Sequence, residues 1–111
     1  MVSASLVTAL NRGGIAVIPT DTLYGIVASA RNKDAVERLY KLRRASSRKP
    51  FVILIDRVKA LKEFGIISIT ATQRVFLKKV WPGKISVILP CPSSRFASLH
   101  RGKRALAFRV P

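Results

Sequence analysis

Two hydroxyls, a carboxylate and a phenol are crowded into Pro19-Thr20-Asp21-Thr22-Leu23-Tyr24-Gly25, between the apolar runs Ile15-Ala16-Val17-Ile18 and Ile26-Val27-Ala28. Pro19 removes a backbone donor and pushes Ile18 towards an extended conformation. Gly25 permits a turn or a close backbone approach. Small polar groups at the end of a core strand are where α/β proteins hold a ligand. A strand-to-turn connection capped by Thr and Asp is the plainer alternative. Thr22 and Tyr24 favour the ligand, because a bare turn has no need of a phenol and a hydroxyl spaced to share one face.

A second set of candidates is cationic. Lys41, Arg43 and Arg44 stand close before Arg48-Lys49-Pro50. A triphosphate needs several converging cations, with lysine as a mobile point charge and arginine as a bidentate fork. For any single one of these residues, a solvated helix end is the competing reading. Arg109 is different, because it interrupts the apolar run Ala105-Leu106-Ala107-Phe108. A cation in such a strand is costly without an anionic partner, which makes Arg109 a binding candidate. The sequence shows no paired-carboxylate cage and no Ser-His-Asp arrangement. Cys91 is the single cysteine, so an internal disulfide is excluded and no metal cluster is offered. His100 stands in a basic polar run and reads as a solvated surface histidine.

These groups must be positioned by a small framework. The 111 residues suffice for one domain, read as 1–111, and the 49% hydrophobic content allows a core. Twenty-one Lys and Arg against five Asp and Glu give a net charge of +16. That imbalance predicts attraction to polyanions: RNA, DNA, nucleotides or an anionic membrane surface. No apolar run reaches the roughly 20 residues of a membrane span. There is no basic leader either, so the expectation is a cytoplasmic protein without a membrane partner.

Apolar spacing predicts a helix over 3–10 and a strand over 15–18, buried on both faces because the run is continuous. The clearest helix is 32–44, capped by Asn32, with Asp34 in its first turn and Ala35, Val36, Leu39, Tyr40 and Leu42 in its apolar stripe. Phe51 to Ile55 reads as a second buried strand. Asp56 is expected to cap a helix over 57–64, which Gly65 stops. Thr70 starts a further helix that Trp81-Pro82-Gly83 ends, with Trp81 in the core or at its rim. Strands follow over 84–89 and 105–110, separated by the loop 90–94 and the basic turn Arg101-Gly102-Lys103-Arg104. Alternating strands and helices argue for a mixed α/β sheet with helices on its faces.

The spaced pattern Gly13-Gly14-x-x-x-x-Pro19-Thr20-Asp21-Thr22-Leu23-Tyr24-Gly25 closely resembles the opening signature of the YrdC-like family, the L-threonylcarbamoyladenylate synthases. Further matches follow in order to the last residue. The resemblance implies a twisted, mixed, open α/β sheet flanked by helices. It also implies formation of threonylcarbamoyl-AMP from L-threonine, bicarbonate and ATP, with release of pyrophosphate, for modification of a tRNA adenosine. Mg²⁺ is then carried on the ATP phosphates rather than in a protein cage. By the same resemblance Thr22, with Thr20, Tyr24 and Arg109, holds L-threonine. Lys49, with Lys41 and Arg43, meets the nucleotide, and the backbone near Ala105 lies beside it. Aligning without a gap from Pro50 puts Arg43 on the family lysine and Ala45 on its arginine; matching Lys41 and Arg43 instead needs a loop two residues longer. Lys84 replaces the second proline of the family's Pro-Gly-Pro turn. Family members carry a Ser-x-Asn segment after the Arg-Val-Pro strand, so a chain ending at Pro111 reads as the amino-terminal portion of such a domain. The alternative is a non-catalytic module of the same fold that binds tRNA or double-stranded RNA.

Overall fold

Gly13 shows how the first helix is made to stop. In the computed structural model, helix α1 (Ala4–Asn11) ends in a left-handed turn with Gly13 at φ 86°. The Gly13 N–H donates to the Leu10 carbonyl (3.0 Å) and the Gly14 N–H to that of Ala9 (2.8 Å), which satisfies the last carbonyls of the helix. The structure describes residues 4–19, 24–43, 51–66 and 69–111. The chain divides into two compact units, Met1–Lys49 and Pro50–Pro111.

In the first unit, strands β1 (Ile15–Pro19) and β2 (Tyr24–Ala28) pair antiparallel, from Ile15↔Ala28 to Pro19↔Tyr24. Helix α1 packs on β1, and helix α2 (Lys33–Arg43) packs on β2. Asn32 caps α2 as its sequence promises, its Oδ1 accepting from the Ala35 N–H at 2.9 Å. Arg38, one turn further on, donates to the Gly13 carbonyl, so α2 also ties down the end of α1. Ala35, Val36, Leu39 and Tyr40 are buried, but Leu42 is 61% exposed and leaves the expected stripe. The strand over 15–18 is not buried on both faces: Val17 is 66% exposed and its cross-strand partner Ile26 53%. A continuous apolar run suggested two-sided cover, whereas alternate residues of a strand face opposite sides and one side here is open.

The second unit contains a mixed three-stranded sheet in the order β3-β5-β4. Strand β3 (Val52–Leu54) runs parallel to β5 (Ala105–Arg109), and β4 (Val87–Pro90) runs antiparallel to it. A 3-10 helix (Val58–Phe64), helix α3 (Ala71–Val80), a second 3-10 turn (Ser94–Phe96) and the short helix α4 (Ala97–His100) connect them. The core is set by β5. Phe108 and Leu106 point inward with Leu61 and Leu77, all essentially inaccessible, and the Phe64 and Phe108 rings lie 5.6 Å apart at a tilt.

Local chemistry explains most of these boundaries. Thr70 and Gln73 form a reciprocal capping box at the start of α3. Gly65 takes φ 76° to end the first 3-10 helix. Trp81 closes α3, and its indole Nε1–H donates to the Ile85 carbonyl at 2.8 Å while the ring is buried. Three expectations change here. Asp56 caps nothing: the 3-10 helix begins after Arg57 without a side-chain cap, and Asp56 instead makes an exposed ion pair with Arg57 at 3.3 Å. The strand after Pro50 is covered on one face, with Ile53 buried and Val52 and Leu54 exposed. His100 is not a surface histidine but is 4% exposed, because α4 turns it inward.

Candidate functional site

Two of the sequence candidates lie on one strand. Ala105 opens β5 opposite Pro90, and Arg109 closes it opposite Leu54. The Ile55 N–H donates to the Arg109 carbonyl at 3.0 Å, which fixes that end of the strand against β3. Four residues apart on a strand, Ala105 and Arg109 share a face and stand about 13 Å apart along it. Leu106 and Phe108 occupy the other face, in the core. The open face is completed by Val52 and Leu54 from β3 and by Ile88, 71% exposed, from β4. Val52, Ala107 and Ile88 form one cross-strand row, and Leu54 flanks Arg109 in the next. The result is an apolar floor with a half-buried guanidinium at one end. Such a surface can seat a small molecule that has an aliphatic body and a carboxylate, the guanidinium forking onto the acid.

The remaining candidates belong to the first unit. Tyr24 is the first residue of β2, paired with Pro19. Thr20, Thr22 and Lys49 lie outside the described residues. Lys41 is on the exposed side of α2, and Arg43 is its last residue. Among the described residues, no group of three or more His, Cys, Asp or Glu is placed to hold a metal ion. Nor is any described helix long and apolar enough to cross a membrane.

The sequence missed the role of His100. Its Nδ1 accepts from the Gly102 N–H at 3.1 Å, so the ring carries its proton on Nε2, which donates to the Ser93 carbonyl at 3.0 Å. One imidazole therefore fastens two loops. A histidine one residue short of an Arg-Gly helix stop was the available signal, since such residues often bond local backbone. Cys91 is fully buried with its Sγ against the Phe64 carbonyl at 3.3 Å. Burial pushes its thiol pKa up, partly offset by a hydrogen bond from the Ser93 backbone.

With this geometry in place, the comparisons with known proteins are decisive. The Sua5/YciO/YrdC family model, described as telomere recombination, matches residues 8–111. The chain belongs to this family. Threonylcarbamoyl-AMP synthase of Bacillus subtilis (strain 168) is 29% identical over 103 residues, covering 92% of this chain and 30% of that protein. The enzyme of the same name from Thiobacillus denitrificans is 30% identical over 101 residues, covering 91% of this chain and 53% of that protein. Among solved structures, P. abyssi Sua5 complexed with L-threonine matches with a TM-score of 0.81 and 25% identity, over 94% of this chain and 30% of that one. The fold is therefore the mixed α/β arrangement with open sheets seen in Sua5. The chain spans roughly a third to a half of the relatives named here.

Proposed function

We propose that this chain provides substrate-binding parts of a threonylcarbamoyl-AMP synthase, a nucleotidyltransferase acting in the cytoplasm on the way to tRNA modification. The observation that carries the reading is the likeness to a Sua5 structure holding L-threonine, over nearly the whole of this chain. The apolar floor ending in Arg109 supports it independently, since L-threonine has a small aliphatic part and a carboxylate. The match of one family model across 8–111 supports treating both units as parts of a single domain.

In this reading the amine of L-threonine captures bicarbonate as a carbamate, with loss of water. A carbamate oxygen then attacks the α-phosphorus of ATP, and the bond to the bridging oxygen breaks to release pyrophosphate. The protein places two anions against each other and neutralises their charge. Arg109 takes the threonine carboxylate, and Thr22, with Thr20 and Tyr24, supplies hydroxyl contacts to the amino acid. Lys49, Lys41 and Arg43 face the phosphates, and the backbone at Ala105 borders the nucleotide. Mg²⁺ arrives on ATP as part of the substrate.

The test is pyrophosphate release from ATP by the purified chain, with bicarbonate present, with and without L-threonine. The expected result is release that depends on L-threonine. Saturable binding of neither ATP nor L-threonine overturns the assignment.

A further inference from the structure

We propose that His100 is a positioning residue: through Gly102 its ring sets the backbone at the entry of β5, and with it the affinity for the nucleotide. The proposal rests on the synthase reading, in which the backbone at Ala105 borders the nucleotide. Residues 91–104 leave β4 and return to β5 as a closed loop. At the mouth of the loop Pro90 pairs with Ala105, and the Cys91 N–H donates to the Arg104 carbonyl at 2.8 Å. Inside it the His100 ring spans both limbs, Nε2–H donating to the Ser93 carbonyl and Nδ1 accepting from the Gly102 N–H. Burying an imidazole is costly unless its nitrogens are bonded, and here both are, one as donor and one as acceptor. An apolar side chain in its place leaves the Ser93 carbonyl and the Gly102 N–H to find other partners.

The outgoing limb of the loop needs holding. Arg101 and Arg104 both have φ 55°, flanking Gly102 at φ 84°. The left-handed region is unfavourable for a side chain as large as arginine, and Arg101 occupies the helix stop where glycine is usual. Such a backbone keeps its shape only where its surroundings enforce it. Two of the bonds that do so are made along the backbone: the Arg101 N–H to the Ala97 carbonyl at 2.8 Å, and the Lys103 N–H to the His100 carbonyl at 3.0 Å. The third, from the Gly102 N–H to the His100 ring, is made to a side chain and ties the limb to Ser93 across the loop.

Without the ring the limb relaxes towards commoner backbone conformations. The residues next downstream are Arg104, whose carbonyl closes the mouth of the loop, and Ala105, so the displacement reaches the strand entry directly. Arg109 stands at the opposite end of β5, where the Ile55 N–H holds its carbonyl at 3.0 Å. Loss of the ring therefore disturbs one end of the strand and spares the other, which a general loss of stability would not do. A shift of the order of an ångström at a ligand-bearing backbone is enough to weaken binding.

The experiment is calorimetric titration with ATP and, separately, with L-threonine, joined to hydrogen exchange at the Cys91 amide. It compares the wild type with His100→Ala, His100→Asn and His100→Gln, each below its unfolding midpoint. The Asn side-chain oxygen is placed like Nδ1 and keeps the Gly102 bond; the Gln amide nitrogen is placed like Nε2 and keeps only the Ser93 bond. The expected result is about tenfold weaker ATP binding by the Ala and Gln variants, and a loss within about threefold for the Asn variant. L-threonine affinity should be unchanged in all three. The Cys91 amide should exchange faster in the Ala and Gln variants than in the wild type and the Asn variant. Unaltered ATP affinity in His100→Ala overturns the proposal, as does equal loss of both ligands or an Asn variant no better than the Gln variant. Unaltered Cys91 exchange in His100→Ala, with ATP bound normally by the wild type, overturns the clasp alone. A wild type that binds no ATP overturns the synthase reading and the nucleotide role of His100 together.

Discussion

The two units of the chain put their apolar residues to different uses. In Pro50–Pro111 a strand, a 3-10 helix and α3 bury Phe108, Leu61, Phe64 and Leu77, and the Phe64 and Phe108 rings pair. In Met1–Lys49 helix α1 buries none of its residues, and Val17 and Ile26 face each other on an open side of the hairpin. The Thr-Asp-Thr signature follows β1 in the sequence and lies outside the described residues. The lesson is that apolarity in the sequence marks strands in both units, but in the first unit the buried apolar side chains are those of α2 rather than of the strands. Where alternate residues are uncovered, an apolar strand buries little surface and adds little stability.

Core truncation is the largest way to sharpen the contrast. Phe108→Ala removes a ring that touches both Phe64 and the sheet and should cost about 3–5 kcal/mol in denaturant unfolding. Val17→Thr, on the open face, should change stability by no more than about 0.5 kcal/mol. Comparable losses from the two would erase the distinction.

Next in size are the binding variants. If Arg109 holds the threonine carboxylate as proposed, Arg109→Ala removes a charge-assisted contact worth about 1.5–3 kcal/mol, and L-threonine affinity by calorimetry should fall by about tenfold or more. Thr22→Ala deletes only a hydroxyl and should cost about 0.5–1.5 kcal/mol of the same affinity. Lys49→Ala should weaken ATP while leaving L-threonine unaffected. An unaltered nucleotide titration removes Lys49 from the site.

Smaller again is the α3 cap. Thr70→Ala breaks the box with Gln73 and should lower the stability of the second unit by about 1 kcal/mol. A loss below about 0.3 kcal/mol would mean that the box adds nothing to the helix.

The smallest effect is pH-dependent. Burial raises the Cys91 thiol pKa, so the unfolded state releases this proton first as pH rises. The contribution is therefore intact below the ordinary thiol value and is lost from about pH 8.5 upward, towards the raised folded value. Unfolding midpoints should fall more steeply across that range in the wild type than in Cys91→Ala. Native Cys91 should also resist a thiol reagent until the unit unfolds. Rapid labelling of the folded chain would contradict its burial.

Local signals were the most legible. Asn32, Gly13, Gly65, Thr70 and Trp81-Pro82 each act through neighbours a few residues away, and each marks the boundary that its chemistry implies. The Thr-Asp-Thr signature and Arg109 stand out as candidates in the sequence because they are polar groups amid apolar runs. Cover from distant segments was not. Whether Val17 or Leu54 meets a partner depends on elements far away in sequence, which an apolar run cannot report. His100 was misjudged for the same reason: its neighbours are basic and polar, but α4 directs the ring inward to Ser93 and Gly102. Asp56 failed as a cap because the segment after it winds as a 3-10 helix starting beyond Arg57.

The most direct measurement is calorimetric titration of L-threonine into the purified chain, in parallel with Arg109→Ala and with L-lysine as a mismatched amino acid. The account predicts saturable binding of L-threonine that is stronger than that of L-lysine and lost with the arginine. Undetectable binding, or affinity indifferent both to Arg109 and to the choice of amino acid, would contradict it.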